Sequence, residues 1–218
     1  MPVDDLHRQV ATIALGAAAR HGFALGGGNA LIAHGLIDRP TEDVDLFTDE
    51  DSGVAAAAGV VEAALRAAGF AAERQDRLAD LAEVFYGLAD GLAEWIVTAP
   101  DGRQAMLQLA RIDRDRRPVT MEVGPVLDLE DVVGSKVCAL ASRVEPRDFV
   151  DTAAALGRYS VAELIGFARR LDPGLTDAEF ADAGRLLDRL DDAVFTRYGL
   201  GPRDVTRLRE RMAAWPRG

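Results

Sequence analysis

Arg39-Pro40-Thr41-Glu42-Asp43-Val44-Asp45-Leu46-Phe47, with Gly26-Gly27-Gly28-Asn29 a short way upstream, is the stretch that decides the reading of this 218-residue chain. The glycines predict a turn, Asn29 to Leu36 a short helix, and the apolar run Val44, Leu46, Phe47 a strand inside a sheet. Side chains alternate along a strand, so Asp43 and Asp45 share one face. Two carboxylates side by side repel each other, and a divalent cation between them relieves that repulsion. Mg²⁺, or Mn²⁺ in its place, takes one or two protein carboxylates and fills its shell with phosphate oxygens and water. Glycines at a helix start let the backbone approach a phosphate chain with its N–H groups facing the anion. Solvated acids and an ordinary glycine turn explain either half alone; the conjunction on one apolar strand favours a cation and phosphate site. Thr41 falls on the same face as the acids, where its hydroxyl contacts phosphate or caps the strand entry. A phosphoryl group accepted there would set negative charge beside the acids and silence them. Arg39 pairs with Glu42 or Asp38, or reaches the phosphates, the latter being favoured.

A second block lies downstream: Lys136-Val137-Cys138-Ala139-Leu140, Arg143, then Arg147-Asp148-Phe149-Val150-Asp151. Lys136 is the only lysine among 25 basic residues. In an Ala-, Arg- and Gly-rich chain, arginine displaces lysine wherever chemistry is indifferent. A position that stays lysine needs a compact point charge, as at a phosphate. Val133, Val137, Leu140 and Ala141 form an apolar helix face with Lys136 at its border, so the stem packs while the ammonium emerges. Asp148 and Asp151, three apart, share one face of a helix that starts near Pro146. The helix dipole accounts for Asp148 in the first turn but poorly for Asp151. Either acid can also pair with Arg143 or Arg147 to fix helix packing.

Together these blocks, spanning residues 26 to 151, resemble the signatures of the AbiEii/AbiGii nucleotidyltransferase-like toxins, of the DNA polymerase β-type superfamily. Gly124-Pro125-Val126-Leu127 between them resembles the MenT-type subgroup, which adds nucleotides to tRNA ends. The resemblance implies an enzyme that moves a nucleoside monophosphate from an NTP to an acceptor hydroxyl, expected to be the tRNA 3′ end, and so blocks translation. It implies Asp43 and Asp45 as catalytic ligands of Mg²⁺ or Mn²⁺, and Gly27, Gly28, Asn29, Arg39, Thr41 and Lys136 around the nucleotide. Lys136, with Asp148 or Asp151 or both, completes the catalytic set. A cognate antitoxin is the implied protein partner. One departure matters. The superfamily carries a third carboxylate on a later strand, and the strand Gln104–Arg111 puts Gln108 in that place. Glu122, Asp148 or Asp151 substitutes for it, or turnover is slow. A small-molecule acceptor, as in antibiotic-modifying nucleotidyltransferases, and a nucleotide-binding module without turnover both stay open.

Composition bounds these readings. The net charge of −11 argues against a broad nucleic-acid-binding surface. The charge is uneven, however: residues 1–100 hold 6 basic and 16 acidic residues, residues 101–218 hold 19 and 20. Arg111, Arg114, Arg116 and Arg117 cluster in an expected hairpin, and the tail from Arg197 is arginine-rich, as an RNA backbone would favour. No apolar run reaches the roughly 18 residues of a membrane span, and Asp4 and Asp5 do not suit a signal peptide. A lone Cys138 on an apolar helix fits a reducing, cytoplasmic setting. Three histidines and one cysteine make no zinc constellation, and His34 is expected to pack on its helix.

The expected fold class is α+β: a nucleotidyltransferase core with a mixed sheet over residues 1–127, then a helical domain over 128–218 that completes the active-site cleft. Helices are expected at Asp4–Arg20, Gly53–Ala68, Leu129–Ser142, Pro146–Leu156, Val161–Leu171, Asp177–Leu190 and Pro202–Ala213. Strands besides Asp43–Phe47 are expected at Ala71–Arg74, Glu83–Gly87, Trp95–Ala99, Gln104–Ala110 and Val119–Val123.

Overall fold

A computed structural model describes residues 4–75 and 91–218 of the chain. They form two compact units, Met1–His34 with Pro40–Asp128, and Gly35–Arg39 with Leu129–Gly218. The expected strand Glu83–Gly87 lies outside the described residues.

The first unit is a seven-stranded mixed sheet with helices. Its strands are β1 (Ala24–Leu25), β2 (Asp43–Thr48), β3 (Ala71–Gln75), β4 (Leu92–Thr98), β5 (Gln104–Arg111), β6 (Val119–Met121) and β7 (Gly124–Val126), in the order β3-β4-β5-β2-β1-β7-β6. β2 runs parallel to β5 and antiparallel to β1, so it sits in the middle of the sheet. The alternation read from the sequence appears directly as burial. Val44, Leu46, Leu107, Leu109, Trp95 and Val97 are fully buried on one face, while Asp43, Asp45, Met106, Gln108 and Glu94 on the other are half-buried. Helices α1 (Asp5–Ala17) and α3 (Gly53–Ala67) pack on each other and on the strands, burying Val10, Ala14, Val54, Val61 and Leu65. Asp4 caps α1, its Oδ1 accepting from the Leu6 N–H at 2.9 Å.

Several boundaries differ from expectation, among them the strand Leu92–Thr98 and the helix ends at Leu187 and Arg211; three others have identifiable reasons. The first helix stops at Ala17, and a short 3₁₀ turn, Ala19–His21, ends at Gly22 with φ +63°. The short helix α2 runs Gly27–Ala33 and not Asn29–Leu36: Gly26 is its N-cap and His34 its C-cap. The run Val119–Val123 is not one strand. It breaks at Glu122 and Val123 into the hairpin β6–β7, with Met121 paired to Gly124 at φ +123°.

The second unit is helical: α4 (Leu129–Ser142), α5 (Pro146–Ala155), α6 (Val161–Leu171), α7 (Asp177–Leu187) and α8 (Pro202–Arg211), with a 3₁₀ segment at Asp192–Tyr198. Local chemistry sets these ends. Ser160-x-x-Glu163 and Thr176-x-x-Glu179 are capping boxes, with Ser160 N and Thr176 N each donating to the glutamate at 2.7 Å. α4 lies against α6 at Gly134, where a Cβ would come 2.9 Å from the Phe167 carbonyl oxygen. Phe149, Phe180, Phe195 and Trp215 fill the core, and Trp215 Nε1 donates to the Phe180 carbonyl at 3.0 Å.

Candidate active site

The open face of the first unit's sheet carries both acids of the D-x-D strand. Register with β5 sets Asp43 beside Met106 and Asp45 beside Gln108. The glycines upstream are there for space. Gly27 has φ +58°, and a Cβ built on it would overlap the Asp45 carboxylate. A Cβ on Gly26 would strike the Phe47 ring. Glycine at these two positions lets the start of α2 close onto β2, with the Asp45 carboxylate against it. Gly28 is buried within α2. We expect Gly27→Ala to cost at least ~1–2 kcal/mol for the left-handed backbone alone and to push Asp45 aside. Gly59→Ala, in open space on α3, is the control. Thermal melts together with Mg²⁺·nucleotide titration check this, and equal behaviour of the two variants would refute it.

Asn29 does not face outward as a ligand. It is 1 % exposed, its Nδ2 donates to the Asp43 carbonyl at 2.7 Å, and its Oδ1 accepts from Thr41 Oγ1 at 2.9 Å. Thr41 therefore ties the strand entry to α2 and also lies 3.3 Å from His7 Nδ1. The network Asn29, Thr41 and His7 fixes the strand that carries the acids. His7 on α1 was invisible to sequence reasoning: a single histidine on a helix gives no signal until the helix is placed.

Burial holds the His7 imidazole below its ordinary range, against the opposing pull of Asp4 and Asp43. The folded state thus prefers neutral His7, and the unfolded chain binds the proton more readily between the lowered value and about 6.5. This contribution to stability is complete above about 6.5 and is lost as pH falls through that window. Urea midpoints measured from pH 8 to 5 should fall for the wild type, and His7→Gln should flatten that part of the slope. An unchanged slope would show that His7 is not the group.

The second block is brought together inside the helical unit. Asp151 is fully buried and accepts a two-pronged bond from Arg39, Nε and Nη2 each at 2.8 Å; Lys136 Nζ adds a third contact at 3.2 Å from Oδ2. Arg39's guanidinium is held by Asp151, and residues 35–39 fall in the same unit as the helices of residues 129–218. The lone lysine gains a geometric reason. Arg39 occupies both carboxylate oxygens with its planar fork, leaving room beside them for a compact ammonium and not for a second fork. Cys138, on the same helix, has its thiol pushed up by burial to about 11 and is not a nucleophile.

Asp148 has a structural role. It is fully buried, takes the Arg143 fork at 2.8 and 3.0 Å, and accepts from Glu145 N at 3.2 Å as the box that starts α5. Val144 between those partners has φ 55°, which a β-branched residue rarely adopts. Asp148 grips the strained turn from both sides. Glu122 is likewise no substitute for a third acid: it sits exposed at the β6–β7 turn, 3.8 Å from Arg8, on the edge strand hairpin remote in order from β5. His34 packs as expected, with Nε2 2.9 Å from the Leu127 carbonyl.

The arginines read as an RNA track are largely occupied. Arg111 pairs with Asp51 and Asp113 at 3.2 and 2.8 Å, and Arg114 with Asp49 and the Gly22 carbonyl. In the tail, Arg209 holds Asp192 and two carbonyls, and Arg217 holds Asp188.

Asp43 and Asp45 offer hard carboxylate oxygens on a half-buried face, a donor set that suits Mg²⁺ or Mn²⁺ completed by phosphate and water. No group of three His, Cys, Asp or Glu able to enclose a metal occurs among the described residues. A two-carboxylate donor set suits a cation that arrives with its substrate, whose phosphates fill the shell, more than a closed structural site. Nor is any helix among the described residues long and apolar enough to cross a membrane.

Comparison with known proteins bears on the family and the fold. Residues 14–217 match the sequence model of a family described as nucleotidyl transferase AbiEii toxin, type IV toxin–antitoxin system. None of the curated proteins compared with the chain matches it. Among solved structures, the fold is similar to MenT4, a nucleotidyltransferase toxin from Mycobacterium tuberculosis, with TM-score 0.64 and 15% identity over 95% of this chain and 82% of that one. It is also similar to JHP933 from Helicobacter pylori, with TM-score 0.58 and 14% identity over 97% and 92% of the two chains.

Proposed function

Since the chain belongs to the AbiEii family of nucleotidyl transferase toxins, we propose that it transfers a nucleoside monophosphate from an NTP to an acceptor hydroxyl at the tRNA 3′ end, blocking translation in the cytoplasm. The observation that carries this reading is the Asp43–Asp45 face closed by Gly27. The acceptor oxygen bonds to the α-phosphorus, the α–β anhydride bond breaks, pyrophosphate leaves with the bonding pair, and the hydroxyl proton goes to solvent. Mg²⁺ or Mn²⁺ held by Asp43 and Asp45 would supply charge neutralisation at the phosphates. Gly27 and Gly28 give the backbone its close approach, while Asn29 and Thr41 keep the acids aligned. Lys136 neutralises charge on the departing pyrophosphate. In this reading Arg39, Asp148 and Asp151 are positioning residues, and a cognate antitoxin is the protein partner.

A small-molecule acceptor is the second reading, favoured by one observation: the arginines best placed to follow an RNA backbone are tied to carboxylates of the same chain. Incubation with α-³²P-labelled NTPs, Mg²⁺ and total tRNA separates the two. Label on tRNA that disappears after periodate oxidation of the 3′ diol supports the first reading; no label on tRNA under any NTP refutes it.

A further inference from the structure

Register carries a polar row across the open face beyond Gln108. Asp45 on β2 pairs with Gln108 on β5, and Gln108 pairs with Glu94 on β4. The three side chains stand in line on one face, all half-buried, with the neutral one in the middle. The row on one side continues from Asp43 to Met106 and Ile96; on the other side Phe47, Ala110 and Leu92 are aligned. Gln108 and Glu94 are thus a polar pair between apolar neighbours, where burial costs free energy unless the groups bond or serve a ligand.

They do bond. Gln108 Nε2 donates to Glu94 Oε1 at 3.1 Å. A carboxylate only accepts, so this bond settles which end of the carboxamide faces β4. One of the two N–H groups is engaged there, so the carbonyl Oε1 is the end of the amide that does not bind Glu94. A carboxylate at position 108 would instead put three acids in cross-strand register, which is destabilising.

Resting on the transfer reading above, we propose that Gln108 holds the attacking hydroxyl of the acceptor, with Oε1 accepting its hydrogen bond, and that Glu94 is the positioning residue that turns the amide to do so. The amide takes no proton. Phosphoryl transfer through a loose transition state asks for alignment more than for early proton removal. The hydroxyl oxygen bonds to the α-phosphorus, pyrophosphate leaves with the α–β bonding pair, and the proton passes to water.

The test uses the full chain with α-³²P-labelled NTP and total tRNA in single-turnover transfer, alongside fluorescence titration of NTP binding. Gln108→Leu should lower transfer about 10²-fold through misalignment. Glu94→Ala should lower it about tenfold, the worth of one hydrogen bond, with NTP affinity unchanged in both. The exchange variant Glu94→Gln with Gln108→Glu keeps the bond in reverse and leaves an oxygen at position 108 outside it. Its transfer should recover to near wild type and gain a pH dependence from the new carboxyl. Wild-type transfer by Glu94→Ala and Gln108→Leu overturns the proposal alone. So does a loss that runs parallel to lost NTP affinity and is not recovered by the exchange. Absence of transfer by the wild-type protein removes the underlying reading, and this proposal with it.

Discussion

Asp45→Ala is expected to lower nucleotidyl transfer at least ~10²-fold while the protein stays folded, and Asp43→Ala to do the same; losses of this size follow removal of one preorganised electrostatic group at a reacting phosphate. The fold is expected to survive because the residues that bury β2, Val44 and Leu46, lie on its opposite face at 0 % exposure. Neither acid belongs to the apolar core; both stand half-buried on the open side of the sheet. Circular dichroism and thermal melts confirm folding, and labelled NTP reports transfer. Near-wild-type transfer by either variant would show that the carboxylate pair does not carry the reaction.

Asp151→Ala is expected to destabilise the protein by about 3–5 kcal/mol, the usual consequence of leaving buried charge without its partner. Asp151 has a fully buried side chain, and it is the shared acceptor for Arg39, 10 % exposed, and Lys136, 13 % exposed. Removing it leaves two cations side by side. Lys136→Met behaves differently, because Asp151 keeps the two-pronged bond from Arg39 and the aliphatic stem keeps its packing. Urea unfolding should therefore show a loss of no more than about 1 kcal/mol for Lys136→Met, yet transfer should collapse if the ammonium acts on phosphate. Lys136→Arg preserves charge but brings a second fork to a carboxylate whose two oxygens are already engaged, and a displacement of about 1 Å at the reacting atoms costs on the order of 10²-fold in rate. Equal stability of Asp151→Ala and wild type would dissolve the cluster as a structural element. Full activity in Lys136→Arg would make the lone lysine an accident of codon usage.

Features set by local rules were legible in the sequence. Period-two alternation placed Asp43 and Asp45 on one face, and helix periodicity with capping signals gave Leu129–Ser142 and Val161–Leu171 with their observed bounds. β1 was missed because two residues, Ala24 and Leu25, carry no periodicity; the sheet recruits them through pairing on both sides. Side-chain partnerships across long sequence separations were equally hidden. Arg39 meets Asp151 across 112 residues, and no spacing rule announces it. Glu94 stands beside Gln108 only because β4 returns antiparallel to β5 in one particular register. Alternation also set Gln108 on the side of the acids, as the register shows, but what buttresses that glutamine could be seen only once the strands were laid side by side.

The proposed reaction depends on a divalent cation held by Asp43 and Asp45 together with the nucleotide. Mn²⁺ binding followed by electron paramagnetic resonance, with a non-hydrolysable NTP analogue present, measures this directly in the wild type and in the shape-preserving Asp43→Asn, Asp45→Asn double variant. Nucleotide-dependent Mn²⁺ binding to the wild type is expected, weakened at least ~10-fold in the double variant as two anionic ligands become neutral. Mn²⁺ bound equally well by both proteins, or by the wild type without regard to nucleotide, would contradict it.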